Sequence, residues 1–432
     1  MAPEIIDPDG PGGADGRPAA SALPGEAPGL SDEAASSREA PVLSDELPAL
    51  CDGAALSREV ARSGEAVPSG EAAKAGESGT VEVGAPAPER DAFLDNAKFL
   101  LIVLVVVGHT WPMGLIEGSR SVKTAYLWIT VFHMPAFVLL SGYFSRSFTG
   151  RPAQLRRLVA GVLVPYLIFE VLYAGLESVV WDKPFRLTPT EPTFLCWFLA
   201  ALFVWRLTVP LWRVVPWAVP VTVLVSLAAG TTTMGYDLAL PRVLMFLPWF
   251  VLGLRLRPVH LTRLRDSVWA RRCAPLVLGA GVAAAYALAP GTDVHWLWMS
   301  YGQDALGVGL VPYLLVRVAL FAATGLMTAA FLALVPRRTS WLTALGAVTL
   351  YPYLLHGLLM MAAHAYSWDA PLRPLGPSGA ALLTACGAAT AVLLSTAPVR
   401  RLARPLIEPR VPGLNRPRHG RRSPGTSEPR TA

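Results

Sequence analysis

Beyond residue 90 the chain is a succession of uninterrupted apolar stretches of roughly 18 to 25 residues, the length a helix needs to cross about 30 Å of hydrocarbon. Soluble core helices are rarely so long or so apolar on every face. Composition agrees: 53% of the 432 residues are hydrophobic and 16% are charged, where a soluble domain carries about 25% charged residues. These stretches define an all-α integral membrane protein with a bilayer as its surroundings.

Charge changes sign where the apolar stretches begin. Residues 1–90 hold 6 Lys and Arg against 17 Asp and Glu, and residues 91–432 hold 31 against 14. The first 90 residues are rich in Ala, Gly, Pro, Ser and Glu, with almost no aromatics. Such a segment cannot bury enough surface to fold alone, so a disordered acidic low-complexity tail is expected. No apolar h-region follows Met1, and no cleavable signal peptide is expected. Residues 91–400 form the membrane domain, and 401–432 read as a basic disordered tail. The basic residues of the membrane domain fall in short loops between spans, which argues against nucleic acid as the partner. Cys51, Cys196, Cys273 and Cys386 form neither a CxxC pair nor a metal-ligand spacing and read as small buried hydrophobes. No metal is expected.

About ten spans can be drawn, at roughly 93–113, 124–144, 158–181, 193–212, 214–230, 239–256, 273–290, 310–335, 341–364 and 378–399. Residues 291–309, with His295, Trp296, Trp298 and Asp304, read as an interfacial or re-entrant segment. Arginines accumulate in alternate loops: Arg146 to Arg157, Arg255 to Arg272, Arg337 and Arg338, and the tail from Arg400. The positive-inside rule then places both termini in the cytoplasm of a multi-pass cell-membrane protein.

Ionisable groups inside spans are costly and mark functional positions. In the first span, Lys98 and His109 are eleven residues apart, about three turns plus roughly 20°, so they share one helix face about 16 Å apart along the axis. An imidazole there suits proton transfer near neutral pH. The same pattern also fits a histidine bonded to a neighbouring helix with a snorkelling lysine at the entry, and the residues alone leave both open. In the second span His133 precedes Pro135, and the Ser141-Gly142 pair permits close approach of another helix or a ligand. Glu170 and Glu177 share a face of the third span, where one of them can be a catalytic acid or pair with Arg206, Arg242 or Arg317. His356 and His364 lie in the ninth span. No Walker loop, GxGxxG, GxSxG or HExxH sequence occurs in the membrane region.

Over residues 90–400 the chain resembles the acyltransferase-3 family of bacterial membrane acyltransferases, and within it the fucose 4-O-acetylase-like branch. The resemblance rests on five features in order. Lys98 and His109 follow Asp95-Asn96. The second span ends FHMPAFVLLSGYF. Arg156 and Arg157 precede Pro165-Tyr166, Trp197 to Leu199 read Trp-Phe-Leu, and Tyr351 stands five residues before His356. The family often spaces its two arginines, which here are adjacent. Many members also carry a fused extracytoplasmic esterase-like domain that this chain lacks, so it is expected to complete the reaction alone or pass the acyl group to a partner.

The resemblance implies transfer of an acyl group, usually acetyl from acetyl-CoA, to a hydroxyl of a carbohydrate or glycosylated acceptor. Acyl-CoA is then a co-substrate, with no resident cofactor. His109 is expected to be catalytic, as general base or transient nucleophile, and Lys98, Arg156 and Arg157 to hold the phosphates of CoA. Asp95, Asn96, His133, Ser141, Glu170 and His356 are expected to support the substrates. The competing reading is a multi-spanning transporter or flippase, because intramembrane charges also mark substrate paths. The two halves of the chain, however, show no convincing similarity of the kind many transporters have.

Overall fold

The structure, a computed structural model, describes residues 91–410. The acidic tail, Cys51 and residues 411–432 lie outside the described residues. Among those described, helices account for all regular structure and no strand occurs. The principal helices are α1 (Ala92–Thr110), α2 (Arg120–Phe144), α3 (Pro152–Trp181), α4 (Trp197–Leu207), α5 (Ala218–Ala229), α6 (Leu240–Arg255), α7 (Val268–Leu288), α8 (Leu310–Leu334), α9 (Leu350–Ala365), α10 (Pro377–Leu394) and α11 (Ala397–Ile407).

Seven segments are long and apolar enough to cross a bilayer by themselves. Every window drawn from the sequence contains a helix, but three are short. α4 has 11 residues and α5 has 12, about 17 and 18 Å of rise against about 30 Å of hydrocarbon. α4 starts late because Phe194–Cys196 forms a 3-10 turn, and it ends at Thr208 ahead of Pro210. The ninth window breaks into Trp341–Gly346 and α9. Gly346 packs onto α1 at the break, where a Cβ would stand 1.9 Å from the Asp95 carbonyl oxygen.

α1 lies at the centre, against α2, α9, α10 and the Trp341–Gly346 turn. Of its span-length window 67% is buried, against 11% for the α7 span, which faces outward. Cys196 is buried as expected, but Cys273 on α7 and Cys386 on α10 are exposed because their helices present those faces outward.

Helix breakers are accommodated by specific partners. Pro135 cannot donate to Val131, and Thr324 Oγ1 of α8 supplies that bond at 2.8 Å. Within α3, Val159–Leu163 widens to a π turn ahead of Pro165, which has no N–H to donate. The Ser141-Gly142 pair serves helix packing. A Cβ on Gly142 would meet the Phe250 oxygen of α6 at 2.0 Å, and one on Gly253 would meet the Leu139 oxygen at 2.0 Å.

The expected tail boundary at residue 400 falls inside α11, so order continues to Ile407. Glu408 anchors this end: it accepts from Tyr351 of α9 (2.9 Å) and pairs with Arg404 (3.3 Å). The 291–309 segment holds a 3-10 turn, Val294–Leu297, and is fastened to the bundle by Arg317.

Candidate active site

The first-span histidine sits in the last turn of α1. His109 Nδ1 is 2.9 Å from the Val105 carbonyl. A carbonyl only accepts, so in the neutral ring Nδ1 carries the proton and Nε2 keeps its lone pair. From α9, His356 is oriented in the same way, with Nδ1 2.7 Å from the Pro352 carbonyl. Its Nε2 then points a lone pair at His109 Nδ1 across 3.4 Å, with the ring centroids 5.3 Å apart. His356 is fully buried, whereas His109 is only partly covered. Of the two imidazoles, His109 is therefore the more accessible.

The frame around the pair is tight. Tyr173 of α3 donates to the Leu354 carbonyl (3.0 Å), and Tyr353 donates to the Leu195 carbonyl. Gly357 has no room for a side chain, because a Cβ would lie 2.0 Å from the Tyr173 hydroxyl oxygen. These contacts fix α9 on both sides of His356. The ring of Phe194 packs edge-on to His109, with centroids 5.6 Å apart. Phe194 holds a left-handed backbone (φ 46°), unfavourable for a bulky residue by about 1–2 kcal/mol. Glu170 stabilises that turn by accepting the Thr193 N–H at 2.9 Å.

The acyltransferase-3 family model, an acyltransferase domain, matches residues 91–400. The chain belongs to this family. Among curated proteins it is similar to nodulation protein NolL of Mesorhizobium japonicum (strain LMG 29417 / CECT 9101 / MAFF 303099), with 31% identity over 129 residues. That match covers 27% of this chain and 34% of the relative, so the chain spans about a third of the relative's length. No solved structure matches significantly.

Other residues expected to form the acyltransferase site are distributed along the bundle. His133 on α2 is buried, bonds the Ile129 carbonyl (2.9 Å) and lies within electrostatic reach of His109. Lys98 stands at the opposite end of α1, buried, paired with Asp95 at 2.7 Å and over the Phe144 ring at 5.2 Å. Asn96 fastens the turn before Trp341. It donates to the Pro336 and Arg338 carbonyls (2.9 and 3.1 Å) and accepts from Thr343 (2.8 Å). Ser141 donates to the Phe137 carbonyl at 2.9 Å, within its own helix. Arg156 and Arg157 are exposed at the start of α3, on the Lys98 side of the bundle.

The expected ion pair between a third-span glutamate and Arg206, Arg242 or Arg317 does not form. Glu170 is occupied by Thr193, and Glu177 lies 3.8 Å from Lys183. Arg206 reaches Ser145 (3.2 Å), Arg317 binds the 291–309 segment, and Arg242 reaches Trp298 and Tyr236. Among the described residues no three His, Cys, Asp or Glu side chains gather as a metal would require. The sequence reading missed Phe194, which a residue-type search for chemistry passes over. It also offered Arg242 only as one of three possible glutamate partners, whereas Arg242 sits among the Trp197 and Tyr236 rings.

Proposed function

We propose that this membrane acyltransferase moves an acyl group, acetyl in the first instance, from acyl-CoA to a hydroxyl of a carbohydrate or glycosylated acceptor. In this reading it acts in the cell membrane with both termini cytoplasmic. The carrying observation is the His109–His356 pair, whose hydrogen bonds leave one lone pair, on His109 Nε2, at an accessible position.

His109 is the general base. Its Nε2 takes the proton of the acceptor hydroxyl as that oxygen attacks the thioester carbonyl. The tetrahedral intermediate then collapses, the C–S bond breaks, and the proton passes from Nε2 to the departing CoA sulfur. While His109 carries the proton its ring is cationic, and the His356 lone pair facing Nδ1–H stabilises that charge. This is the part a carboxylate plays in a Ser-His-Asp triad. His356 is thus a positioning residue.

CoA is polyanionic and enters from the Lys98 end. Arg156 and Arg157, exposed there, are its phosphate ligands. Lys98 stands at the same end, its charge matched by Asp95. The test is incubation of the purified full chain in lipid nanodiscs with labelled acetyl-CoA and a panel of sugars and glycosides. Label in an ester-linked, alkali-labile sugar product is expected. Movement of an unmodified sugar across vesicles, with no ester formed, would favour the transporter reading instead.

A further inference from the structure

Two arginines lie at the His109 end of the bundle, and their surroundings differ in one respect. Arg317 has four of its five N–H groups engaged on all three nitrogens. Its Nε bonds the Tyr313 hydroxyl (3.0 Å), Nη1 the Trp296 carbonyl (2.7 Å) and Met299 sulfur (3.2 Å), and Nη2 the Tyr301 carbonyl (2.9 Å). With these bonds made and only 4% of its surface exposed, that guanidinium is a buried structural clasp.

Arg242 is not saturated. Its Nε donates to the Trp298 carbonyl at 3.2 Å and its Nη1 to the Tyr236 hydroxyl. Among the described residues Nη2 has no hydrogen-bond partner, and it is not sealed from access. The planar group is held over the Trp197 ring at 4.9 Å and near that of Tyr236 at 5.5 Å. Both of its hydrogen-bond partners are neutral, and among the described residues no carboxylate pairs with it. A cation held in a partly covered, aromatic-walled position without a counter-ion is suited to an anion, and the open Nη2 edge is where one can be received.

The location identifies whose anion this is. Lys98 over Phe144 ties the start of α1 to the end of α2. Trp298, which bonds Arg242, donates its indole N–H to Tyr126 near the start of α2 (2.8 Å). Arg242 is therefore at the opposite end of the bundle from Lys98, and it lies within electrostatic reach of His109. We propose that Arg242 anchors an acidic group, carboxylate or phosphate, of the acyl acceptor, so that the substrate is an anionic sugar derivative rather than a neutral one. This rests on the reading of His109 as the base acting on the acceptor.

The test measures binding without acyl-CoA, by titration calorimetry on the full chain in nanodiscs. Two probe pairs differ in charge: 4-nitrophenyl β-D-glucuronide against 4-nitrophenyl β-D-glucoside, and glucose 6-phosphate against glucose. The anionic member of at least one pair is expected to bind at least tenfold more tightly. Arg242→Gln should reduce that preference to within threefold, Arg242→Lys should keep part of it, and neither should change the affinity for CoA. No preference in either pair (including no binding at all) overturns the proposal, as does a preference that survives in Arg242→Gln. Loss of CoA binding in Arg242→Gln overturns it too, by assigning the anion to the donor. Acetyl transfer is scored separately by CoA release, so failure of the acyltransfer reading and failure of the anchoring role give different results.

Discussion

His356 Nε2 faces His109 Nδ1 at 3.4 Å, although 247 positions separate the two residues in the chain. Each ring is fixed by a carbonyl one turn back in its own helix, so the pair has a defined direction. The buried ring supports the accessible one. If His356 acts only through His109, His356→Ala should lower kcat by about 10–100-fold and leave the KM for acyl-CoA unchanged, because the support matters only as charge develops. Steady-state kinetics at varied acyl-CoA separates this from a binding role, in which KM would rise.

Gly357 lets α9 approach Tyr173. In Gly357→Ala the new methyl would meet the Tyr173 hydroxyl oxygen at 2.0 Å, so α9 must move next to His356. A stability loss of about 1–3 kcal/mol is expected from the overpacking, with a fall in kcat. Gly357→Ala combined with Tyr173→Phe, which removes the colliding oxygen, should recover part of both in thermal unfolding and turnover.

Glu170 accepts the Thr193 N–H, and if that bond rather than proton transfer is its role, a neutral acceptor can replace it. An amide oxygen can accept the same N–H. Glu170→Gln should therefore keep turnover within about threefold, while Glu170→Ala frees the Phe194 turn and loses much more, since each net hydrogen bond is worth about 1 kcal/mol and the turn is strained. Comparable loss in both variants would make Glu170 a proton donor.

Lys98 and Asp95 form a buried pair at 2.7 Å. Breaking such a pair from one side costs about 3–5 kcal/mol, and replacing both partners is far cheaper. Lys98→Met and Asp95→Asn should each lower the unfolding temperature of the detergent-solubilised protein, and the double variant should restore much of it.

If the exposed Arg156 and Arg157 hold the phosphates of CoA, their replacement has a different signature. Arg156→Gln with Arg157→Gln should raise the KM for acyl-CoA about tenfold or more without altering stability, and added salt should weaken the wild-type protein toward the variant.

The helical membrane architecture was legible because length and apolarity report directly on hydrocarbon. Periodicity within α1 likewise put Lys98 and His109 on one face. It did not reveal that Lys98 is matched by Asp95 three residues earlier in a buried pair. Nor did hydropathy show that the fourth, fifth and ninth windows hold short or broken helices, because apolar loops and 3-10 turns at Phe194–Cys196 read like helix. The meeting of His109 with His356 was beyond the sequence, since helical period orders residues within one helix and not between helices. Arg242 and Arg317 were indistinguishable for a similar reason. A lone intramembrane arginine shows its charge in the sequence, but whether its five N–H groups are satisfied depends on carbonyls contributed from far along the chain.

The most direct test of the His109 mechanism is the rate of CoA release from acetyl-CoA, with acceptor present, by nanodisc-embedded wild-type and His109→Ala protein of equal thermal stability. Loss of the general base predicts a fall in kcat of about 10²–10⁴-fold, with the affinity for CoA retained. Turnover of His109→Ala at the wild-type rate would contradict the account.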